Sequence, residues 1–321
     1  MDDNFKIIPT NGIEINTLVE GEGDPVIFVH GWPESWYSWR HQVKPFTETG
    51  HKVIIPDVRG YGKSSKPYNI SSYTMKELTA DIIGLLDYLD EPEAHIVGHD
   101  WGAPIAWYTS LLYPERILSV SGLSVPFTSS NANKPTDFFK SIYKDNFFYM
   151  LYFQKEGVAE KEFEKDLRST LEILFTNSDY RGMKENIENP TSKSKESSFL
   201  EGLSKKESLP SWLTDKDLEY YFSQFNMSGM RGPLNRYRCM DIDWAELKEL
   251  SKNRIQKPAC FITGELDPVN FFIRDVNLLD MIEVYYDDLR VKKIVEKCGH
   301  WTQQEKPEEV NKILLDFLKE I

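Results

Sequence analysis

The sequence predicts an α/β protein, a mostly parallel sheet with flanking helices and an inserted helical segment before the last strands. Three observations predict it. Short β-branched apolar runs ending in Gly, Pro, Asp or His recur along the first third of the chain and return in the last. Between several of them apolar residues recur at spacings of three and four, and strand alternating with helix implies a parallel sheet covered on both faces. From about residue 131 to residue 243 the strand-like runs vanish and amphipathic segments rich in Lys and Glu replace them.

Taken in order, strands are expected at 13–20, 25–30, 52–56, 94–98 and 118–123, and later at 259–264 and 291–296. Met75, Leu78, Ile82, Leu85, Leu86 and Leu89 have the spacing of one buried helix face. In the middle segment Phe163, Leu167, Leu171 and Leu174 mark one helix. Thr214 followed by Asp217 has the form of a capping box opening another, which carries Leu218, Tyr221, Phe222 and Phe225. Residues 189–208, rich in Ser, Lys and Glu, read as a solvated loop. The chain thus divides into 1–130, the first part of the core, 131–243, a helical cap, and 244–321, the second part of the core. No internal repeat is evident.

Composition narrows the function. With 40% hydrophobic and 28% charged residues the chain has a globular rather than a disordered composition. Lys and Arg number 38 against 51 Asp and Glu, a net charge of −13, which disfavours nucleic acid and anionic membranes as partners. The acidic surface reads as a solvated face. Cys239, Cys260 and Cys298 form no CxxC pair, so neither a disulfide framework nor a zinc site is indicated. The N-terminus carries Asp2, Asp3 and Lys6 ahead of no long apolar region, and no run of roughly 18 apolar residues suggests membrane insertion. A cytoplasmic protein is expected.

Residues 94–102, AHIVGHDWG, followed by a helix-compatible run, form a strand, a Gly-x-x-x-Gly turn and a helix. Small residues on both sides let such a turn push its central side chain out at the carboxyl end of a sheet, as in a nucleophile elbow. The central residue is Asp100. The alternative is an Asp that caps the following helix. A buried-type strand also runs into His30, Gly31, Trp32 and Pro33. That turn can bring the Trp32 N–H near the elbow, where with the Trp101 N–H it makes an oxyanion hole. Asp267 and His300 each follow a predicted strand, the side where ligands bind in open α/β sheets. The chain order is nucleophile, acid, base. Of the six histidines, His30 belongs to the turn, His99 adjoins the elbow, His95 lies in a strand, and His41 and His51 lie in or beside a helix. Glu265 competes with Asp267 as the acid.

With these segments in hand, the chain resembles an epoxide hydrolase of the α/β-hydrolase superfamily, close to the catalytic domain of the soluble epoxide hydrolases. The matching segments are 30–39 (HGWPESWYSW), 98–102 (GHDWG), 152–160 (YFQKEGVAE), 231–237 (RGPLNRY) and 299–304 (GHWTQQ). They are spread over nearly the whole chain. The N-terminal phosphatase domain that some members carry is not expected within these 321 residues.

The resemblance implies an α/β-hydrolase fold and a two-step reaction on a small-molecule epoxide with water. Asp100, already ionised, attacks carbon and forms an ester. Two cap tyrosines protonate the leaving alkoxide; by motif they are Tyr149 and Tyr237, with Tyr152 competing for the first position. His300, oriented by Asp267, activates the water that hydrolyses the ester. His30, Pro33, Met150, Tyr152 and Trp301 are expected around the substrate, beside Trp32 and Trp101. No metal or organic cofactor is required, and the oligomeric state stays open. Haloalkane dehalogenation shares the Asp and His, but a halide leaves without a proton, so the tyrosines favour an epoxide. A noncatalytic small-molecule receptor is the reading from another class. An ordinary esterase lacks support, because the elbow carries no Ser.

Overall fold

A computed structural model describes residues 4–130, 132–190, 192–272 and 278–321. Met1, Asp2, Asp3 and Asn131, on which parts of the sequence reading fall, lie outside them. The chain runs through β1 (Phe5–Thr10), β2 (Ile13–Glu20), β3 (Asp24–Val29), α1 (Arg40–Glu48), β4 (His51–Pro56), α2 (Met75–Tyr88), β5 (Ala94–His99), α3 (Gly102–Leu112) and β6 (Ile117–Leu123). Eight helical segments follow: α4 (Pro135–Tyr143), α5 (Tyr149–Tyr152), α6 (Val158–Phe163), α7 (Leu167–Ser178), α8 (Tyr180–Glu188), α9 (Asp215–Ser228), α10 (Arg231–Arg238) and α11 (Met240–Leu247). Then come β7 (Ala259–Gly264), α12 (Leu278–Met281), β8 (Leu289–Val295), α13 (Thr302–Glu305) and α14 (Pro307–Leu318).

The eight strands form one sheet in the order β1-β2-β4-β3-β5-β6-β7-β8. β1 with β2 and β2 with β4 are antiparallel; the remaining pairs are parallel. Seven strands match the expected runs, and β1 is an addition. It buries Ile8 and Thr10 among exposed neighbours and folds back on β2 through Asn11 and Gly12, whose φ angles are 44° and 75°. Two positive φ values suit a tight hairpin, and Asn-Gly is the pair that adopts them at least cost. That dipeptide was the available signal for the missing strand.

Alternation along the central strands assigns their side chains to two cores. Ile27 and Val29 of β3 pack with Ile54, Ile96 and the α2 face Leu78, Ile82, Leu85 and Leu86. Val26 and Phe28 point the other way, into a cluster with Trp39, Phe46, Val310, Leu314 and Phe317 from the α1 and α14 side. Each fully buried Phe of this kind contributes roughly 3–5 kcal/mol relative to Ala.

A third cluster joins the helices between β6 and β7 to the loops of the sheet. Trp32, Tyr61 and Trp301 pack there with Phe153, Phe163, Phe175, Tyr221, Phe225 and Tyr237. α9 opens with the expected capping box: the Thr214 side chain accepts from the Asp217 N–H at 3.2 Å, and Asp217 accepts from the Thr214 N–H at 2.7 Å. Most of the described residues in 189–208 are exposed, as a solvated loop would be, with Phe199 among the exceptions. Phe199 turns inward and stacks on Phe153 at 5.5 Å, because an aromatic side chain in a polar loop gains more from this cluster than from water.

Candidate active site

The site grows from the carboxyl ends of neighbouring strands. Parallel register places Val29 of β3 beside Gly98 of β5, so the turn after β3 and the turn after β5 emerge together. Asp100 sits between β5 and α3 at φ 50°, a conformation that side-chain-bearing residues seldom adopt. The flanking glycines make the turn possible. A Cβ on Gly98 would meet the Gly102 carbonyl oxygen at 2.0 Å, and one on Gly102 would meet that of Val29 at 2.0 Å. Asp100 does not cap α3; its side chain is turned toward the residues after β3 and β8.

Trp32 donates its backbone N–H to Asp100 Oδ1 at 2.8 Å, across a turn whose Trp32–Pro33 peptide is cis. Gly31 is needed beside it, since a Cβ there would stand 2.4 Å from Asp100 Cβ and Oδ1. Trp101 is the residue after Asp100 and leads directly into α3. Below the turn lies a buried polar network. Glu34 Oε2 accepts from the Gly31 N–H at 2.8 Å and lies 2.7 Å from His99 Nδ1, while Oε1 accepts from Gln303 at 3.0 Å and Gln304 at 3.3 Å. One carboxylate thus ties the turn to the elbow and to the segment after His300. Burial works against its charge, but His99 and the Gly31 N–H outweigh burial and hold Glu34 down to about 2.

His300 follows β8 and faces both acids. Its Nδ1 lies 3.1 and 3.2 Å from the two oxygens of Asp267, and its Nε2 lies 3.5 Å from Asp100 Oδ2. Asp267 is fully buried after β7 and also accepts from the Val269 N–H at 2.9 Å. Glu265, its rival, is exposed and accepts from the Lys297 N–H at 2.8 Å, away from the imidazole. Burial disfavours the imidazolium, yet Asp267 and then Asp100 overcome it, so the His300 pKa stands well above the ordinary value.

Two cavities meet at Asp100. The larger, about 320 Å³, is walled by Trp101, Phe138, Phe139, Met150 and Trp244, and the smaller, about 210 Å³, by Trp32, Pro33, Leu174, Phe199, Tyr237, His300 and Trp301. Asp100, Tyr149, Val269 and Phe272 line both. The Tyr149 and Tyr237 rings stand 5.8 Å apart, edge to face, and Tyr237 meets the Trp101 ring at 5.1 Å. Burial first, then neighbouring acidic groups including Asp100, raises both phenols well above their ordinary value and keeps them protonated.

Two expected pocket residues sit elsewhere. Tyr152, three residues after Tyr149, turns its hydroxyl to Glu162 Oε2 at 2.7 Å and lines neither cavity. His30 is buried under the turn: its Nδ1 lies 2.9 Å from the Gly31 carbonyl and its Nε2 accepts from the Val58 N–H at 3.0 Å. Burial lowers its pKa, which keeps the ring neutral in that role. Conversely, Phe199, Phe272, Val269 and Leu174 were not anticipated as walls. A lone Phe in a polar loop was the one signal available for Phe199. Among the described residues no group of three or more His, Cys, Asp or Glu side chains could hold a metal ion, and no helix is long and apolar enough to cross a membrane.

A model of the α/β-hydrolase fold family matches residues 24–307. The chain is 37% identical over 315 residues to epoxide hydrolase A of Mycobacterium tuberculosis, an alignment that covers 98% of this chain and 96% of that protein. It is 35% identical over 310 residues to bifunctional epoxide hydrolase 2 of Sus scrofa, covering 96% of this chain and 54% of that longer protein. Among solved structures, epoxide hydrolase A from Mycobacterium thermoresistibile superposes with a TM-score of 0.92 at 38% identity, covering 98% of each chain.

Proposed function

The chain belongs to the epoxide hydrolases of the α/β-hydrolase fold family, and from that premise we propose that it converts an epoxide and water to a vicinal diol through an ester on Asp100. The observation that carries the reading is the meeting, at one pair of cavities, of Asp100, His300 and the buried phenols Tyr149 and Tyr237. An alkoxide is a strongly basic leaving group and needs a proton donor, which a halide does not. Two phenols beside the carboxylate therefore favour an epoxide over an alkyl halide.

Asp100 Oδ1 is held by the Trp32 N–H, which leaves Oδ2 to attack a ring carbon. The C–O bond of the ring breaks as the new C–O bond forms, and Tyr149 or Tyr237 protonates the oxygen that departs. Esterification removes the Asp100 charge. His300 then loses one of the two influences that keep it protonated, its pKa falls, it releases to solvent the proton it regains when the Asp100 charge returns, and it becomes a base with Asp267 behind it. It takes a proton from water, and hydroxide attacks the ester carbonyl. The tetrahedral oxyanion collects on the N–H groups of Trp32 and Trp101. Collapse expels the diol oxygen, which takes the proton from His300. The second water proton leaves the regenerated carboxyl and restores the tyrosine through solvent. The helices of residues 131–243 act as the cap, and three buried, unbridged cysteines suit a reducing cytoplasm.

The test uses enzyme in excess over an aryl or aliphatic epoxide in heavy-oxygen water. The first turnover yields unlabelled diol, because its new oxygen comes from Asp100, and later turnovers yield labelled diol. Label in the first turnover refutes the ester. Halide release from 1-haloalkanes without diol from epoxides overturns the assignment of substrate.

A further inference from the structure

We propose that Glu305 is a positioning residue for the hydrolytic half of the reaction, seating the loop that carries His300 on the helices above the site. The inference rests on the function proposed above. Glu305 closes α13, five residues after the base. Its Oε2 accepts from the backbone N–H groups of Gly299 and Tyr180, both at 3.0 Å, and its Oε1 accepts from that of Trp301 at 3.0 Å. Gly299 and Trp301 are the two neighbours of His300; Tyr180 is the first residue of α8. A single carboxylate therefore spans both sides of the base and the start of a cap helix.

Three further contacts show that the loop sits at the junction of α7 and α8. The His300 N–H donates to the Ser178 carbonyl at 2.9 Å, and the Trp301 indole N–H donates to the Phe175 carbonyl at 2.8 Å. The approach is close enough that a Cβ on Gly299 would stand 2.4 Å from the Asp179 carbonyl carbon and the Tyr180 nitrogen. Leu174 and Ser178 of α7 in turn line the smaller cavity. Asp267 fixes the imidazole from one side, and the backbone from which the ring projects is held by this junction on the cap side and by His99 and Ser124, at the His300 carbonyl, on the sheet side.

The carboxylate is kept at some electrostatic cost. Burial, with Asp179 beside it, raises Glu305 to about 7 in spite of the three N–H donors. A neutral amide would be cheaper to bury. It cannot serve three donors, because one end of a Gln side chain is itself a donor and would face an N–H.

The direct contacts of Glu305 favour one half-reaction. Asp100 is held by its own turn and by Trp32, and Tyr149 and Tyr237 lie on α5 and α10; none of them hydrogen-bonds to Glu305. Disturbing the seat therefore acts first on the base, and reaches the nucleophile only at one remove, through His99 and the Glu34 network.

The experiment follows Glu305→Gln through a single turnover, with ester formation and ester decay timed separately by intact mass after acid quench. Ester formation is expected within about twofold of the parent. Losing one or two of the hydrogen bonds that hold the loop slows decay by roughly 10-fold or more, so the ester accumulates. Hydrogen exchange should rise in peptides holding Tyr180 and residues 299–301 and stay constant in β5. Should the Gln variant fail to fold, Glu305→Asp, one methylene too short to span all three donors, is read in the same way. Equal slowing of both steps, or an unchanged decay rate, overturns the inference. If the parent protein forms no ester from any epoxide, it is the proposed function that fails.

Discussion

Removing the Tyr149 and Tyr237 hydroxyls singly and together probes the step that separates an epoxide from other alkylating substrates. Phe keeps each ring in its nest: Tyr149 packs edge-on to Phe153 at 5.5 Å and Phe199 at 6.1 Å, and Tyr237 to Phe153 at 4.9 Å and Trp32 at 5.7 Å. The loss is then confined to the O–H that meets the developing alkoxide. A hydrogen bond to a charged group contributes about 1.5–3 kcal/mol, and at about 1.4 kcal/mol per decade each single variant should form the ester roughly 10- to 150-fold more slowly. Both phenols serve one oxygen, so the double variant, left with no proton donor, should lose at least the product of the two. Ester decay, which needs His300 and water, should change little. Because both phenols titrate well above their ordinary value, ester formation in the parent should show no tyrosine limb as pH rises from 6 to 9. The assay is stopped-flow tryptophan fluorescence with enzyme in excess, since Trp101 adjoins the nucleophile, checked by quenched mass spectrometry. Single and double variants that all stay within twofold of the parent would refute the argument, and with it the preference for an epoxide over a halide.

Two other outcomes follow from the site. Asp267→Asn turns an amide N–H toward His300 Nδ1 and reverses the tautomer the base needs, so ester decay should fall on the order of 10²–10⁴-fold while ester formation persists; normal decay, followed by intact mass, would remove Asp267 from its role. Glu34 has a folded-state pKa depressed from 4.5 to about 2, so its contribution to stability is present above about pH 4.5 and is lost as pH falls toward 2. The stability gap between the parent and Glu34→Gln, measured by urea unfolding, should therefore shrink between pH 6 and pH 3; a constant gap would show that the charge on Glu34 does not stabilise the turn.

The strands and the α2 face were legible because their signals are local: alternation or a spacing of three and four within one segment. The elbow was legible in part for the same reason, since a Cβ on Gly98 would meet Gly102 four residues on, although what excludes a Cβ at Gly102 is the distant Val29 carbonyl. β1 escaped although Asn11 and Gly12 marked its hairpin, because a short edge strand with exposed residues carries little hydrophobic pattern.

What the sequence by itself determined is thus the α/β class and the chain order of Asp100, Asp267 and His300, together with two tyrosine motifs. Tertiary structure decided which of the rivals meet. Asp267 rather than Glu265 faces the imidazole because the turn after β7 buries one carboxylate and exposes the other only two residues away. Tyr149 rather than Tyr152 lines the cavities because Glu162, from the following helix, draws the Tyr152 hydroxyl away. His30 turns inward, Phe199 closes a wall from a polar loop, and Glu305 bridges the base to the cap. These are contacts between segments tens to hundreds of residues apart. They depend on parallel strand register and on the packing of helices over the sheet, and spacing along a chain carries no record of either.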